Sequence, residues 1–313
     1  MRQAARSPPA ERSDEEDMPV RYQLIANPTA GRGRTKKYLP LIEDVFRSSG
    51  HEYRLSLTEA PGHATLLARE AVRAGYERIV AIGGDGTMNE VVNGLAGTVA
   101  ALGVIPSGTG NDLARSLGIP LEIAAAARIT LDPLVRRIDL GREQGAYFAV
   151  LAGLGFAADV IHHTNTHRGP LRGPLAIASS VVATVAGLTP KPLSITIDGI
   201  SYDGPTEAVF VMNTRFCGGG LMVAPDAKED DGLFDVVLMR DFGRADLLRI
   251  LPKVYSGRHV GHPKVEFYRG RTVKIANARP LVKMVDGNIY GETPLEAEIV
   301  PGALAVLAPR RGS

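Results

Sequence analysis

The stretch Ile79–Glu90, IVAIGGDGTMNE, limits the fold more than any other part of the chain. Ile79 to Ile82 is a short apolar run of the kind that forms a buried strand. Gly83, Gly84 and Gly86 break it, with Asp85 and Thr87 between them, and the pattern predicts a helix opening at Met88 and running through Leu95. Strand, glycine loop and helix in that order let backbone N–H groups approach a phosphate closely. A second such loop, Pro106–Arg115 (PSGTGNDLAR), follows another short strand, Leu102–Ile105. Two loops that end neighbouring parallel strands face each other across one cleft.

The segments before them repeat the same unit. Arg21–Ala26 reads as a strand and ends in NPTAGRGR, Asn27–Arg34. Glycines and basic residues straight after a strand suit a phosphate loop, although by itself this loop reads as an ordinary strand-to-helix turn. Lys36–Ser49 follows as a helix, with Leu39, Ile42, Val45 and Phe46 at helical spacing. Tyr53–Leu57 is the next strand, ending at Thr58, and Pro61–Gly75 continues as a helix. The alternation predicts an α/β fold: a Rossmann-like open parallel sheet with helices on both faces, binding ligands beyond the carboxyl ends of its strands. Thr58 and the three loops lie at those ends.

After a helix at Glu122–Leu131, the segment Arg136–Gly141 leaves this domain and the texture changes. Short β-like runs recur at Tyr147–Ala152, Ser194–Asp198, Ala208–Asn213, Asp235–Met239, Thr272–Ala276, Leu281–Val285 and Leu304–Ala308. Turn residues separate them, which predicts an antiparallel C-terminal sandwich. Two helices, Leu175–Leu188 and Asp246–Tyr255, interrupt it. The division is a tail over 1–18 with the composition of a disordered segment, an α/β domain over 19–140 and a β-rich domain over 141–301.

Composition removes several classes of function. A chain of 313 residues with 44% hydrophobic content has room for two cored domains. A net charge of +2 argues against a dedicated nucleic-acid binder. The single cysteine, Cys217, excludes a disulfide framework and a cysteine zinc site, and it reads as a small buried residue rather than a nucleophile. No apolar run reaches transmembrane length. The polar N-terminus shows no secretory signal. These features fit the cytoplasm.

Taken in order, NPTAG, GGDGTMNE, PSGTGNDLAR and a later VDG…VLAP pattern resemble the bacterial diacylglycerol kinase and related lipid kinase family, from about Arg21 to Pro309. The resemblance implies an ATP-binding α/β domain, then a lipid-substrate domain, with about 302–313 returning to the first. The active site would lie in the cleft between them. ATP and Mg²⁺ are the implied cofactors. Asn27, Pro28, Thr29, Ala30 and Gly31, then Thr58, then Gly84–Glu90 (with Asn89 and Glu90) and Thr109 are the implied ATP contacts. Arg32 and Arg115 match basic positions near the phosphates, and Asp139 an acidic position at the domain junction. Lys228, Asp231 and Leu233, in KEDDGL, match a structural magnesium site of one carboxylate and two carbonyls. A membrane lipid such as diacylglycerol is the implied acceptor, reached by peripheral contact with the inner face of the membrane.

The chemistry of these residues is consistent with that family. Asp85 among three glycines suits a magnesium-holding carboxylate, since magnesium takes few carboxylates beside phosphates and water; the plainer reading is a turn residue bonding its own backbone. Asn111 and Asp112 either serve the cofactor or cap the helix starting near Leu113, and the two roles are compatible. Asp286 follows an apolar strand and precedes Gly287, so it can point into a cleft as general base, or simply form an Asp-Gly turn. The family's usual Asp-Gly-Glu is Asp286-Gly287-Asn288 here. An amide orients a hydroxyl but cannot take its proton as a carboxylate does. Either Asp286 acts alone, or Glu292 swings in, or the protein binds nucleotide with little turnover. A sphingoid-base kinase or an NAD kinase stands as the alternative enzyme. Leu175–Leu188, flanked by Arg168 and Arg172, and Asp246–Arg258 are candidate membrane faces, with packing on the sandwich core as the plainer reading of each. His162, His163 and His167 come without the carboxylates or cysteines that usually complete a metal site. A homodimer is left open.

Overall fold

The computed structural model describes residues 20–166 and 174–310. The expected tail over 1–18, His167, Arg168 and Arg172 lie outside the described residues. Four strands, β1 (Arg21–Ala26), β2 (Glu52–Leu57), β3 (Arg78–Gly83) and β4 (Ala101–Pro106), pair in parallel in the order β4-β3-β1-β2. In β1, β3 and β4 nearly every residue is buried, as parallel strands covered on both faces require. Their register sets Ala26 beside Leu57 and Ile82, and Gly83 beside Pro106. All the loops of interest therefore leave one edge of the sheet.

Five helices connect these strands or follow them: α1 (Ala30–Arg47), α2 (His63–Arg73), α3 (Asp85–Leu95), α4 (Asp112–Ser116) and α5 (Ile123–Leu131). Two begin earlier than expected. α3 starts at Asp85 rather than Met88, because Gly84 is extended (φ −98°, ψ −173°) and Gly86 falls in the first turn. α1 starts at Ala30, and its opening turn is irregular: Gly31, Arg32 and Gly33 have φ of 58°, 60° and 82°.

The last part of the first region is longer than its pattern suggested. β5 spans Leu134–Glu143 and does not leave the sheet. It runs antiparallel to a fourteen-residue strand, Leu295–Ala308, whose end pairs in parallel with β4. The C-terminal segment thus returns to the first sheet. That sheet has eleven strands and continues through Thr272–Ala276 to β8 (Lys191–Ile197). A second, six-stranded antiparallel sheet packs against this extension. Its order is Val265–Gly270, Phe234–Met239, Ala208–Met212, β7 (Leu151–Gly155), Val282–Val285 and Asn288–Glu292. Phe148 and Phe234 stack at 5.6 Å in the buried layer between the sheets, among Ile195, Val211, Val236 and Ile275.

The expected strand Tyr147–Ala152 is two strands, β6 (Ala146–Phe148) and β7, broken at Ala149 and Val150. The break has a local cause: the N–H groups of Ala149, Val150 and Leu151 donate to the Asp286 carboxylate. Helices α6 (Phe156–Thr166), α7 (Pro174–Val185) and α8 (Arg244–Tyr255) cover the second sheet, burying Val160, Val181, Val185, Leu247 and Ile250. Among the described residues no helix is long and apolar enough to cross a membrane.

Candidate active site

The three loops are tied to one another by contacts that only particular residues permit. Asn27 Oδ1 accepts from the N–H and hydroxyl of Thr29, at 3.0 and 2.8 Å, and fixes the start of the first loop. A Cβ on Gly31 would stand 2.2 Å from the Ser107 carbonyl. Arg34, not singled out from the sequence, donates to the carbonyls of Ser107 and Gly108 at 3.2 and 2.7 Å. The Thr35 and Ser107 hydroxyls meet at 2.6 Å. The first loop is therefore lashed to the Pro106–Arg115 loop. Its three successive left-handed residues are of the kind that gather N–H groups around an anion.

Asp85 joins the other two loops. Its Oδ1 accepts from the Asp112 N–H at 2.8 Å and its Oδ2 from the Asn111 N–H at 2.9 Å. Asp85, rather than Asn111 or Asp112, thus supplies the side-chain cap for α4. Asn111, at φ 57°, closes its own loop: Oδ1 accepts from Gly108 N–H and Nδ2 donates to Gly108 O. Asp112 turns the other way and accepts from Gly219 and Gly220 N–H at 2.9 and 3.2 Å, on a short hairpin that carries Cys217. Burial, then the neighbouring charge of Asp85, pushes the Asp112 carboxyl up to about 7. Arg115 Nε donates to Gly110 O at 3.2 Å.

Asp286 lies on the same cavity. It is 7% exposed and sits at φ 44°. Its Oδ1 accepts from Val150 and Leu151 N–H at 2.9 and 3.0 Å; its Oδ2 accepts from Ala149 N–H and Asn89 Nδ2, both at 2.9 Å. Burial pushes its carboxyl above the usual range, and the four donors pull the other way. Neither the broken strand nor Asn93, which grips Tyr147 beside it, carries a recognisable motif. The only trace is the repeat of Asn at Asn89 and Asn93, one helical turn apart.

A cavity of ≈ 360 Å³ brings these groups together. Its polar lining includes Asp85, Asn89, Thr109, Asp112, Asp286 and Asn288. The rest is mostly hydrocarbon: Phe156, Val181, Phe210, Met239, Ile250 and Met284 among others, from the second sheet and from α6, α7 and α8. Phosphate-type loops and an apolar chamber therefore share one space.

Other expected site residues do not line this cavity. Glu292 is exposed, opposite Val282 at the far end of its hairpin, and does not line the cavity. Glu90 Oε2 accepts from Ala64 N–H at 3.0 Å, in the first turn of α2. Pro28 and Ala30 flank Thr29, and Thr58 bonds the end of β1 through its N–H. Thr87 is buried against Gly83, where a Cβ would stand 2.5 Å from its Oγ1. Arg32 lies in the middle of the left-handed run. Asp139 accepts from Gly302 and Gly232 N–H at 2.7 and 2.6 Å, pinning the Lys228–Leu233 turn to the long final strand.

The expected metal set lies in that turn, with one carboxylate, Asp231, beside the backbone of Lys228 and Leu233. Asp231 accepts from Leu233 N–H and pairs with Arg269. Among the described residues no group of three or more His, Cys, Asp or Glu side chains could hold a metal. In the strand that follows, Phe234–Met239, Asp235 Oδ2 is buried without a hydrogen-bond partner. Cys217 is buried, and burial with the Asp112 charge pushes its thiol well up. His163 contacts Ser180 Oγ at 3.2 Å.

Two family descriptions match the chain. Residues 21–142 match the diacylglycerol kinase catalytic domain, and residues 150–308 match the YegS C-terminal NAD kinase beta sandwich-like domain. The diacylglycerol kinase of Bacillus subtilis (strain 168) is 34% identical over 279 residues, 88% of this chain and 92% of its own. That of Staphylococcus aureus (strain MRSA252) is 33% identical over 294 residues, 93% of each chain. A crystal structure of a diacylglycerol kinase from Bacillus anthracis str. Sterne superposes with a TM-score of 0.74 at 25% identity, covering 92% of this chain and 96% of that one.

Proposed function

The chain belongs to the diacylglycerol kinase family of lipid kinases, and from that premise we propose that it transfers the γ-phosphoryl group of ATP to a lipid hydroxyl. Diacylglycerol is the acceptor we favour, and phosphatidic acid the product. One observation carries the reading: the Asp85 loop, the Pro106–Arg115 loop and Asp286 open onto a cavity whose remaining walls are mostly hydrocarbon. A dinucleotide acceptor, as in an NAD kinase, has no use for such walls.

The residues divide the work. The left-handed run Gly31–Gly33 and the paired glycines Gly84 and Gly108 leave room for phosphate oxygens against the backbone. Asp85 uses one acceptor site on each oxygen for α4 and keeps the others, so it suits a magnesium ion with Asp112 beside it. When bound, magnesium neutralises phosphate charge during the transfer. Asp286, held by four N–H donors, fixes the turn that presents Asn288 to the cavity. The Asn288 amide then orients the lipid hydroxyl. A loose transition state asks modest help from a base, so positioning supplies most of the rate.

The test is direct. Pure protein is incubated with labelled ATP, magnesium and a panel of diacylglycerols, sphingoid bases and NAD. Labelled phosphatidic acid is the expected product. Labelled NADP, or a sphingoid phosphate alone, selects the alternative kinases. No labelled product from any acceptor rejects the kinase reading and favours a nucleotide-binding regulator, for which Asn288 is the motivating residue.

The acceptor has to be drawn from a membrane. The outer side of α8 exposes Arg244, Leu248, Arg249 and Lys253, while Leu247, Ile250, Leu251 and Val254 of the same helix line the cavity. On α7, Leu175 and Val182 are exposed. This basic and apolar face suits peripheral contact with an anionic inner leaflet. Co-sedimentation with vesicles containing phosphatidylglycerol, lost in a Leu248→Glu variant, is the expected result.

A further inference from the structure

We propose that Asn89 and Asn93 are positioning residues that couple nucleotide binding to lipid binding, through hydrogen bonds from α3 to the edge of the apolar cavity. The proposal rests on the reading above, in which one cleft takes both substrates. α3 opens directly out of the glycine loop, at Gly84 and Asp85. One turn along, the Asn89 amide spends both protons on residues that follow β5. Nδ2 donates to Asp286 Oδ2 at 2.9 Å and to Tyr147 O at 3.1 Å. The resemblance implies an ATP contact at Asn89, and in the structure its amide hydrogens point to Tyr147 and Asp286.

Asn93 lies one turn further on the same helix face. Its Oδ1 accepts from Tyr147 N–H at 2.9 Å, and its Nδ2 donates to Tyr147 O at 2.8 Å. The side-chain amide thus takes the place that a neighbouring strand would take beside β6. Asp286 passes the contact on, since its carboxylate also holds the N–H groups of Ala149, Val150 and Leu151 at the start of β7. Ala149, Val150, Leu151 and Asp286 all line the cavity. A rigid helix therefore has the phosphate loop at one end and the cavity edge gripped by two asparagines on its side.

A ligand that shifts α3 at its N-terminus must shift the cavity edge, and the reverse holds by linkage. Asn93 touches neither the loop nor the cavity, so its removal separates coupling from binding. A merely structural residue would weaken both affinities together.

The experiment measures the dissociation constant of a fluorescent, non-hydrolysable ATP analogue in the presence of magnesium. It is measured with and without a short-chain diacylglycerol in mixed micelles, for full-length wild type, Asn93→Ala and Asn93→Asp. The lipid is expected to tighten nucleotide binding about fivefold or more in wild type. In both variants that factor falls at least twofold, the bonds from Asn89 remaining, while affinity for the analogue alone stays within about twofold. Asn93→Asp keeps the acceptor for Tyr147 N–H and turns the donation to the Tyr147 and Asn89 carbonyls into repulsion, so it breaks the same contact without removing the side chain and serves if the alanine variant does not fold. An undiminished factor in a folded variant, or the absence of coupling in a wild type that binds both ligands, overturns the proposal. A wild type that binds neither ligand overturns the function proposed above, and this inference with it.

Discussion

A Cβ built on Gly108 would stand 2.4 Å from the Cα of Gly84. The two glycine loops therefore touch backbone to backbone, and neither loop holds its shape without the other. Gly108→Ala must push them apart by about an ångström, in a region where Arg34 already clamps Gly108 O. The expected result is a KM for ATP raised at least tenfold, about 1.4 kcal/mol, with the KM for lipid little changed. An unchanged ATP KM would show that the contact does not shape the phosphate site.

The buried ion pair gives a stability prediction. Lys283 Nζ lies 2.6 Å from Glu143 Oε1 and 2.9 Å from Pro294 O, and the two side chains are 1% and 0% exposed. Glu143 Oε2 has no hydrogen-bond partner of its own. Lys283→Met strands a carboxylate between the sheets and is expected to cost about 3–5 kcal/mol. Adding Glu143→Leu should recover most of it, because the paired charges owe their place largely to each other. Denaturant unfolding of the single and double variants measures this, and a double variant no better than the single contradicts it.

The legible parts of the fold are those whose signal is local. β1, β3 and β4 are buried on both faces and read as unbroken apolar runs, and the glycine loops announce themselves by composition. The strand Leu295–Ala308 shows the limit. Its first half alternates in burial and its second half is buried throughout, because one half edges the sandwich and the other enters the parallel sheet. Pro301-Gly302 reads as a turn and masks the first half. In the structure, the register shift between Val300 and Leu304 absorbs it. The site divides in the same way. Asp85 and Asp286 stand out by their glycine neighbours. Their partners, such as Gly219 for Asp112, 107 residues away, and Tyr147 for Asn93, 54 residues away, carry no sequence signal, since a backbone N–H looks the same at every position.

Asp235 gives stability a pH dependence. It stands opposite Arg269 in the second sheet, with Nε 3.4 Å from Oδ1. Burial raises its carboxyl to about 6, Arg269 pulling down and Asp231 and Asp226 adding to the rise. The unfolded chain titrates near 3.9. The folded state therefore holds this proton more tightly, and stability from the group is full below pH of about 4 and lost as pH rises through about 6. Asp235→Asn lacks that loss. Relative to wild type it should gain roughly 2–3 kcal/mol between pH 4 and 7, at about 1.4 kcal/mol per pKa unit. Denaturant unfolding across that range checks it, and a constant difference between the two proteins refutes it.

Asn288 lines the cavity two residues after Asp286, with Nδ2 3.4 Å from the Asp286 carbonyl. Asp286 already takes four hydrogen bonds, and Glu292 is on the far end of the hairpin, so no uncommitted carboxylate reaches the acceptor from this turn. Asn288→Glu restores one. General-base help in the range seen elsewhere is about 100-fold or more, but a loose transition state draws less on it, so a gain of about tenfold in kcat is expected with the KM for ATP unchanged. The new carboxylate must be ionised to act, so the variant's extra rate should appear as pH rises through the titration of the introduced side chain and vanish below it. The two readings of the protein part here. A wild type with measurable turnover and a modest gain is a lipid kinase that works mainly by positioning. A wild type near zero with a very large gain is a nucleotide-binding regulator one side chain away from an enzyme. No gain at all would mean that the proton leaves by a route in which position 288 has no part.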